Sequence, residues 1–138
     1  MRIQKTQEVR NAEQAADEAA NNNTRAQAEW KEARAALAGT RRGAPEYHAA
    51  YCRDAAAYDA KISTEAALDK AFEALDAANR KEKRDALTAA HADALDAING
   101  WQHLRRTEAT PGDEFDRQLA ERIAKAQAIA DDIARQLG

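Results

Sequence analysis

The chain has 138 residues, which fits one domain over residues 1–138, and its formal net charge of -3 argues against a general DNA or RNA binder. Hydrophobic residues make up 44%, but 37 of them are alanine and only 24 are of other types. With 33% charged residues and two prolines, this composition predicts long helices or a coiled coil, without strands.

The first helix is predicted over about residues 3–38 from a line of small and apolar residues. These residues recur alternately every three and four positions, the heptad spacing of a helix that packs on a partner helix. The line, here called the α1 seam, consists of Val9, Ala12, Ala16, Ala19, Asn23, Ala26, Trp30, Ala33 and Leu37. Because alanine removes little apolar area from water, this helix is expected to be the least anchored part of the chain.

The polar stretch 21–24 competes with a continuous first helix. It reads Asn-Asn-Asn-Thr, and Thr24 with Gln27 matches a capping box. The heptad spacing nevertheless continues through it without a shift, which favours one helix. Asn23 is then either a buried side chain that fixes the helix register or a partly exposed one on a loosely packed helix. Gly39 is expected to end the helix as a left-handed cap.

The middle of the chain predicts helices over 45–79 and about 86–106, with Pro45 in the first turn of the earlier one. The earlier helix carries two apolar stripes, which predict contacts with two neighbouring helices. Its stripes are Tyr47, Tyr51, Ala55, Tyr58 and Ile62, then Leu68, Phe72 and Leu75; the later helix carries Leu87, His91, Ala94, Ile98 and Trp101.

The charged segment 79–85 decides the number of helices. It contains neither glycine nor proline, so it fits a tight turn and also a turn of one uninterrupted helix. The first alternative gives a four-helix up-down bundle, and the second gives a three-helix hairpin around one long central helix.

A last helix is predicted over 111–137, with Thr110 as its cap, Pro111 in its first position and Asp113 in its first turn. Its apolar stripe consists of Phe115, Leu119, Ile123, Ala126, Ala130, Ile133 and Leu137. The predicted fold class is therefore all-α, an antiparallel helical bundle or coiled-coil hairpin of three to four long helices with no strands.

The sequence contains no pattern typical of catalysis. His48 and Cys52 share a helix face, but zinc needs about four convergent ligands, so they are interpreted as a solvated histidine and a small buried thiol. No glycine-rich phosphate loop and no Glu-x-x-His pair occurs. The chain is therefore predicted not to be an enzyme and to bind no metal or cofactor.

Location is predicted from the cysteine count and the hydropathy. Cys52 is the single cysteine, so no internal disulfide forms, which fits a reducing compartment. The first residues lack the apolar core of a signal peptide, and no apolar stretch approaches the roughly 20 residues that span a bilayer. A cytoplasmic protein without membrane association is expected.

The best candidate function is contact with another protein, because aromatic residues and arginine are enriched at interface hot spots. Candidate interaction residues gather around the predicted corner between the first two helices, although rings at helical spacing are also typical of a core. They are Trp30, Arg41, Arg42, Tyr47 and Tyr51.

The resulting hypothesis is a non-enzymatic protein–protein interaction protein. It would act as a stoichiometric inhibitor or adaptor of a larger assembly, for instance as a phage-type accessory protein, and a protein partner or self-association is expected. Two alternatives remain. One is a nucleic-acid-associated helical protein that uses Arg41, Arg42 and the segment 80–84, a less favoured partner class. The other is a structural, self-assembling coiled-coil subunit.

Overall fold

The structure, a computed structural model, describes residues 5–138 and contains three helices and no strand in that range. The helices are α1 (Gln7–Ala38), α2 (Tyr47–Thr107) and α3 (Glu114–Leu137). α1 packs antiparallel to α2, and α2 packs antiparallel to α3. The all-α antiparallel class is confirmed; the predicted start of the first helix at residue 3 lies outside the described residues.

α2 is a single helix of 61 residues that passes through the charged segment 79–85 without a break. Lysine, arginine and glutamate are good helix formers, and no glycine or proline interrupts them there. The helices predicted over 45–79 and 86–106 are therefore one helix, and the four-helix alternative is wrong. The helix begins at Tyr47, so Pro45 lies in the turn before it and not in its first turn. The chain divides into two compact units, Met1–Asn79 (unit 1) and Arg80–Gly138 (unit 2). That 1–138 forms one domain stays a prediction.

The α1 seam is confirmed position by position. All nine of its residues are buried or half-buried, and Val9 and Ala33 have no exposed surface. α1 runs unbroken through the stretch 21–24. The Thr24 hydroxyl donates to the Ala20 carbonyl at 3.0 Å, so it returns to its own helix and starts no new one.

The face of α2 that meets α1 in unit 1 follows the same alternating spacing, and its residues are all buried or half-buried. This α2 seam consists of Ala50, Asp54, Ala57, Lys61, Thr64, Leu68, Ala71, Leu75 and Ala78. The predicted aromatic stripe is not on it, because Tyr51, Tyr58 and Ile62 each follow a seam residue by one position. That step turns them about 100° around the helix, to the edge of the contact with α1, where Tyr58 still meets Trp30.

A polar pair lies in the middle of the contact between α1 and α2. Asn23 is 9% exposed, and Thr64 Oγ1 lies 3.1 Å from Asn23 Oδ1 and 3.0 Å from the Lys61 carbonyl oxygen. A hydroxyl has one hydrogen, so both contacts form together when the asparagine amide presents its NH₂ to Thr64. Asn23 is therefore buried, which is the first of the two predicted alternatives. Because its amide is hydrogen-bonded only where Thr64 lies opposite, the pair favours this register of α1 on α2.

The end of α1 differs from the prediction. Gly39 has φ -82° and ψ -5°, so the predicted left-handed cap is wrong. The Gly39 N–H donates to the Ala35 carbonyl at 3.0 Å, and the Thr40 hydroxyl and N–H donate to the carbonyls of Ala36 and Leu37. Because Thr40 satisfies these last carbonyls, no left-handed residue is required.

The start of α3 also differs. Residues 110–113 form a turn closed by the Asp113 N–H on the Thr110 carbonyl at 3.1 Å, with Gly112 at φ +83°. Proline followed by a positive-φ glycine is typical of the two central positions of a type II turn. Pro111 and Gly112 therefore lie in this turn, before α3 begins. The cap is therefore Asp113, whose side chain accepts from the Asp116 N–H at 2.7 Å, and Thr110 as cap is wrong.

A buried carboxylate replaces the predicted Phe115 at the first position of the α3 contact. Arg105 Nε donates to Asp116 Oδ1 at 2.6 Å, and the Gly112 N–H donates to Oδ2 at 3.2 Å. The Arg105 hydrogen bond, followed by that of Gly112, holds the pKa of Asp116 below its ordinary value. Phe115 is 43% exposed. From Leu119 to Leu137 the predicted α3 stripe is buried or half-buried, as are Leu87, His91, Ala94, Ile98 and Trp101 of α2.

Asn23→Ala is expected to destabilise unit 1, and Asn22→Ala is its matched control. Asn22 is exposed in the same helix, so its replacement shows the gain in helix propensity alone, about 0.5 kcal/mol. Asn23→Ala also removes the contact with Thr64, which costs about 1–2 kcal/mol. Urea denaturation followed by circular dichroism measures both, and equal changes in the two variants would contradict the role given to Asn23.

Asp116→Asn is expected to lower the melting temperature at pH 7 and to lose this effect in acid. Since the pKa of Asp116 is depressed in the fold, its stabilisation is present above the ordinary pKa of about 3.9 and is lost as pH falls through the folded value. Melting curves of both proteins from pH 7 down to about pH 2 should therefore converge. Asp96→Asn, at an exposed position of α2, should match the wild type throughout.

Candidate protein-interaction surface

The five predicted interaction residues do not form one cluster. Arg41 and Arg42 are exposed in the connection between α1 and α2, and neither side chain makes a hydrogen bond or ion pair with residues 5–138. Tyr47 begins α2 half-buried, and Tyr51 follows one turn later with 55% of its surface exposed. Trp30 lies eight residues before the end of α1, about 12 Å along its axis.

Trp30 belongs to an aromatic and cationic cluster between α1 and α2. Its ring centroid lies 5.9 Å from that of Tyr58, with the planes at 55°. Two cations lie over the indole: Arg34 Cζ at 5.2 Å and Lys61 Nζ at 5.0 Å from the ring centroid. Cations attract the negative face of an indole, so the cluster joins the two helices. Trp30 is therefore a half-buried residue of the contact between α1 and α2, as its place in the α1 seam indicated.

The same region contains two buried polar atoms without a hydrogen-bond partner among the described residues. They are Nε1 of Trp30 and Oδ1 of Asp54, one on each helix. An unpaired buried donor or acceptor costs about 1–3 kcal/mol. The packing of α1 on α2 is thus stabilised by rings and cations and weakened by these two groups.

Four large apolar side chains of α2 in unit 1 stay about half exposed beside the contact with α1, although one edge of Tyr58 meets Trp30. Tyr51, Tyr58, Ile62 and Phe72 are 55%, 46%, 43% and 49% exposed. All four fall on one alternating three-and-four series, so they line one helix face, here called the α2 stripe. Single exposed apolar residues are ordinary, but a line at heptad spacing is what a further helix contacts.

The α2 stripe is apolar at its start and acidic towards its end. The same series contains Glu65, Asp69 and Asp76 around Phe72. Glu65 is paired with Lys61 at 3.0 Å. Asp69 and Asp76 are exposed and make no side-chain hydrogen bond or ion pair within the described residues. The stripe therefore has a direction, with rings at one end and free carboxylates at the other.

Cys52 lies beside the α2 stripe and is exposed, so the predicted buried thiol is wrong. Its Sγ lies 3.6 Å from Nε2 of His48, one turn earlier on the outer face of α2. Residues 5–138 contain no group of three or more histidine, cysteine or acidic side chains placed to hold a metal ion. No helix in that range has the length and hydropathy to cross a membrane.

Comparison with models of known protein families, with curated proteins and with solved structures gives no match to this chain. The candidate surface therefore depends on the geometry of the described residues. Ile62 and Phe72, which the sequence interpreted as core, are its main additions. Both are exposed because each lies one position after a residue of the α2 seam, Lys61 or Ala71, and so off the face that meets α1.

Trp30→Ala should lower the free energy of unfolding by about 2–4 kcal/mol, because it removes a large ring packed between two helices. Tyr51→Ala removes a ring that is mainly in solvent and should change the free energy of unfolding by less than about 1 kcal/mol. Urea denaturation followed by circular dichroism compares the two. If Trp30→Ala proved as mild as Tyr51→Ala, Trp30 would be a surface residue after all.

Proposed function

We propose that the protein is a non-enzymatic helical interaction protein that binds one partner protein along the α2 stripe. In this proposal it acts stoichiometrically in the cytoplasm, as an inhibitor or adaptor of a larger assembly. The observation that carries the proposal is the α2 stripe, four large apolar side chains about half exposed at heptad spacing.

The free energy gained by covering the α2 stripe limits which partner can bind there stably. Fully burying one such side chain yields about 1.5–3 kcal/mol, so covering the exposed half of each gives roughly 1 kcal/mol, or about 4 kcal/mol in all. Association costs at least about 4 kcal/mol in lost translational and rotational freedom. The cost of association thus nearly cancels the free energy gained from apolar contact, so a stable complex needs a further favourable contribution.

Asp69 and Asp76 supply that contribution only with a partner of opposite charge. A second copy aligned parallel would place these carboxylates opposite their own counterparts, and like charges repel. A second copy aligned antiparallel offers no lysine or arginine in the stripe series, since from Tyr51 to Asp76 that series contains only apolar and acidic side chains. The preferred occupant is therefore an amphipathic helix of another protein, with apolar residues at heptad spacing followed by basic ones.

Arg41 and Arg42 stay predicted contacts at the Tyr51 end of this interface. Both are exposed in the loop that precedes α2, and both are charged without a counterion among the described residues. They would meet acidic residues of the partner. The nucleic-acid alternative has weaker support here, because its two predicted basic segments belong to different units.

Crosslinking from Cys52, the only cysteine, tests the proposal on the full chain. A thiol-reactive benzophenone placed there should crosslink one other protein in a lysate of the source cells. Ile62→Glu with Phe72→Glu should abolish that product, because two charges would be buried against apolar residues. The control, Ala67→Glu with Ala74→Glu, adds the same charge at exposed positions on other faces of α2 and should keep it.

The captured protein must then be shown to use the surface proposed. Purified, it should bind the chain in a fixed ratio, and Asp69→Lys with Asp76→Lys should weaken this binding by about tenfold or more. Loss in both glutamate variants, or no crosslink at all, would refute the proposal. A product formed only with a second copy of the chain would favour the self-assembling coiled-coil subunit.

A further inference from the structure

A groove in unit 2 is lined mainly by basic side chains. It has a volume of about 640 Å³ and lies between residues 80–87 of α2 and the last turn of α3. Four lining residues are positively charged and none is acidic, in a chain of net charge -3. The lining consists of Arg80, Lys81, Lys83, Arg84, Leu87, Gln136 and Leu137.

The continuity of α2 brings these charges together. Arg80, Lys83, Arg84 and Leu87 are spaced i, i+3, i+4 and i+7, which places them on one helix face. Like charges at this spacing repel one another. Arg80, Lys83 and Arg84 make no side-chain hydrogen bond or ion pair with residues 5–138, although Glu82 and Asp85 lie beside them in the sequence.

The end of α3 accounts for only part of the positive charge. The C-terminal end of a helix carries about half a negative charge, which attracts nearby cations. Asp132, one turn before Gln136, is already held by Arg135 at 3.3 Å and by the Gln136 amide at 3.0 Å. The groove therefore keeps a surplus of several positive charges, which favours an anionic ligand.

We infer that this groove binds an oligophosphate, either inorganic or carried on a small organic group such as a nucleoside. Arginine and lysine are the side chains that bind phosphate oxygens, arginine in a bidentate manner. From Arg80 to Arg84 the helix rises about 6 Å, enough for two or three adjacent phosphates. A nucleic-acid backbone usually needs contacts to several phosphates along a longer path.

The rest of the lining suits an organic group beside the phosphates. Leu87 and Leu137 provide apolar surface, and Gln136 provides an amide. The volume of the groove lies within the range of about 300–1,000 Å³ typical of small-molecule sites. This inference does not rest on the proposed protein partner, whose surface belongs to unit 1.

Isothermal titration calorimetry of the full chain with sodium tripolyphosphate and with ATP, without magnesium, tests the inference. Both are expected to bind at one site and to weaken between about 50 and 200 mM salt. The variant Arg80→Ala, Lys83→Ala, Arg84→Ala should bind at least about tenfold more weakly, because it removes three charge-assisted contacts. The control Arg106→Ala, Arg122→Ala, Lys125→Ala makes the same charge change at exposed positions of unit 2 and should retain binding within about twofold.

The comparison of ligands identifies the source of the phosphates. Tighter binding of ATP than of tripolyphosphate supports a nucleotide, and equal binding supports an inorganic oligophosphate. Equal loss in both triple variants would mean unspecific attraction to surface charge and would overturn the inference. No saturable binding of either compound would also overturn it, as would binding of a single-stranded DNA oligonucleotide alone. Circular dichroism confirms that both variants remain helical, as exposed lysine and arginine to alanine changes should.

Discussion

The small size of alanine in the α1 seam is the constraint on which unit 1 depends. Alanine at most of the nine positions removes little apolar area from water, so shape and polar pairing must contribute the remainder. The opposing face of α2 is mainly small or polar, with Asp54, Lys61 and Thr64 among its members, and Leu68 and Leu75 are its only large apolar side chains. Stability then concentrates at a few points: the Asn23–Thr64 pair and the indole of Trp30, held between Tyr58 and two cations.

The same constraint explains why large apolar side chains are exposed. α2 offers two neighbouring series of residues, one of mostly small and polar residues and one with Tyr51, Tyr58, Ile62 and Phe72. The α1 seam packs against the first series, which leaves the side chains of the second about half exposed. A unit made of two helices has no further layer to cover it. The proposed partner helix would provide that layer, so the proposed function grows directly out of how the core is built.

Unit 2 is built on a different balance. Leucine and isoleucine form most of its helix contact, and its turn is anchored by the carboxylate of Asp116, which accepts from Arg105 and from the Gly112 backbone. At the far end of α3, the basic face of α2 is left with a surplus of charge. At one end the buried carboxylate is therefore paired internally, whereas the basic face at the other end is proposed to meet an external anion.

The sequence by itself determined the helical class, the antiparallel packing and the unbroken α1 helix. The class and the unbroken α1 follow from the spacing of residues three and four apart, whereas antiparallel packing is expected from the short connections between long helices. Two helix ends were predicted wrongly. Thr40, not a left-handed Gly39, satisfies carbonyl groups at the end of α1, and Asp113, not Thr110, caps the N–H groups at the start of α3. That 79–85 stays helical rather than turning was decided only in the folded chain.

Tertiary structure alone decided which side chains are available for function. The sequence showed the stripe with Tyr51, Tyr58 and Ile62 on α2, but the series that packs on α1 contains Asp54, Lys61 and Thr64 and is not visible as an apolar stripe. Likewise, Asp116 displaced Phe115 because Arg105 and Gly112 converge on it from outside its own helix. The basic residues 80–84 were evident as a run, but their groove exists because the end of α3 packs beside them. The periodicity of a sequence shows which residues share a face of one helix. Which faces fit each other in size and charge depends on two helices together, so only the tertiary structure decides it.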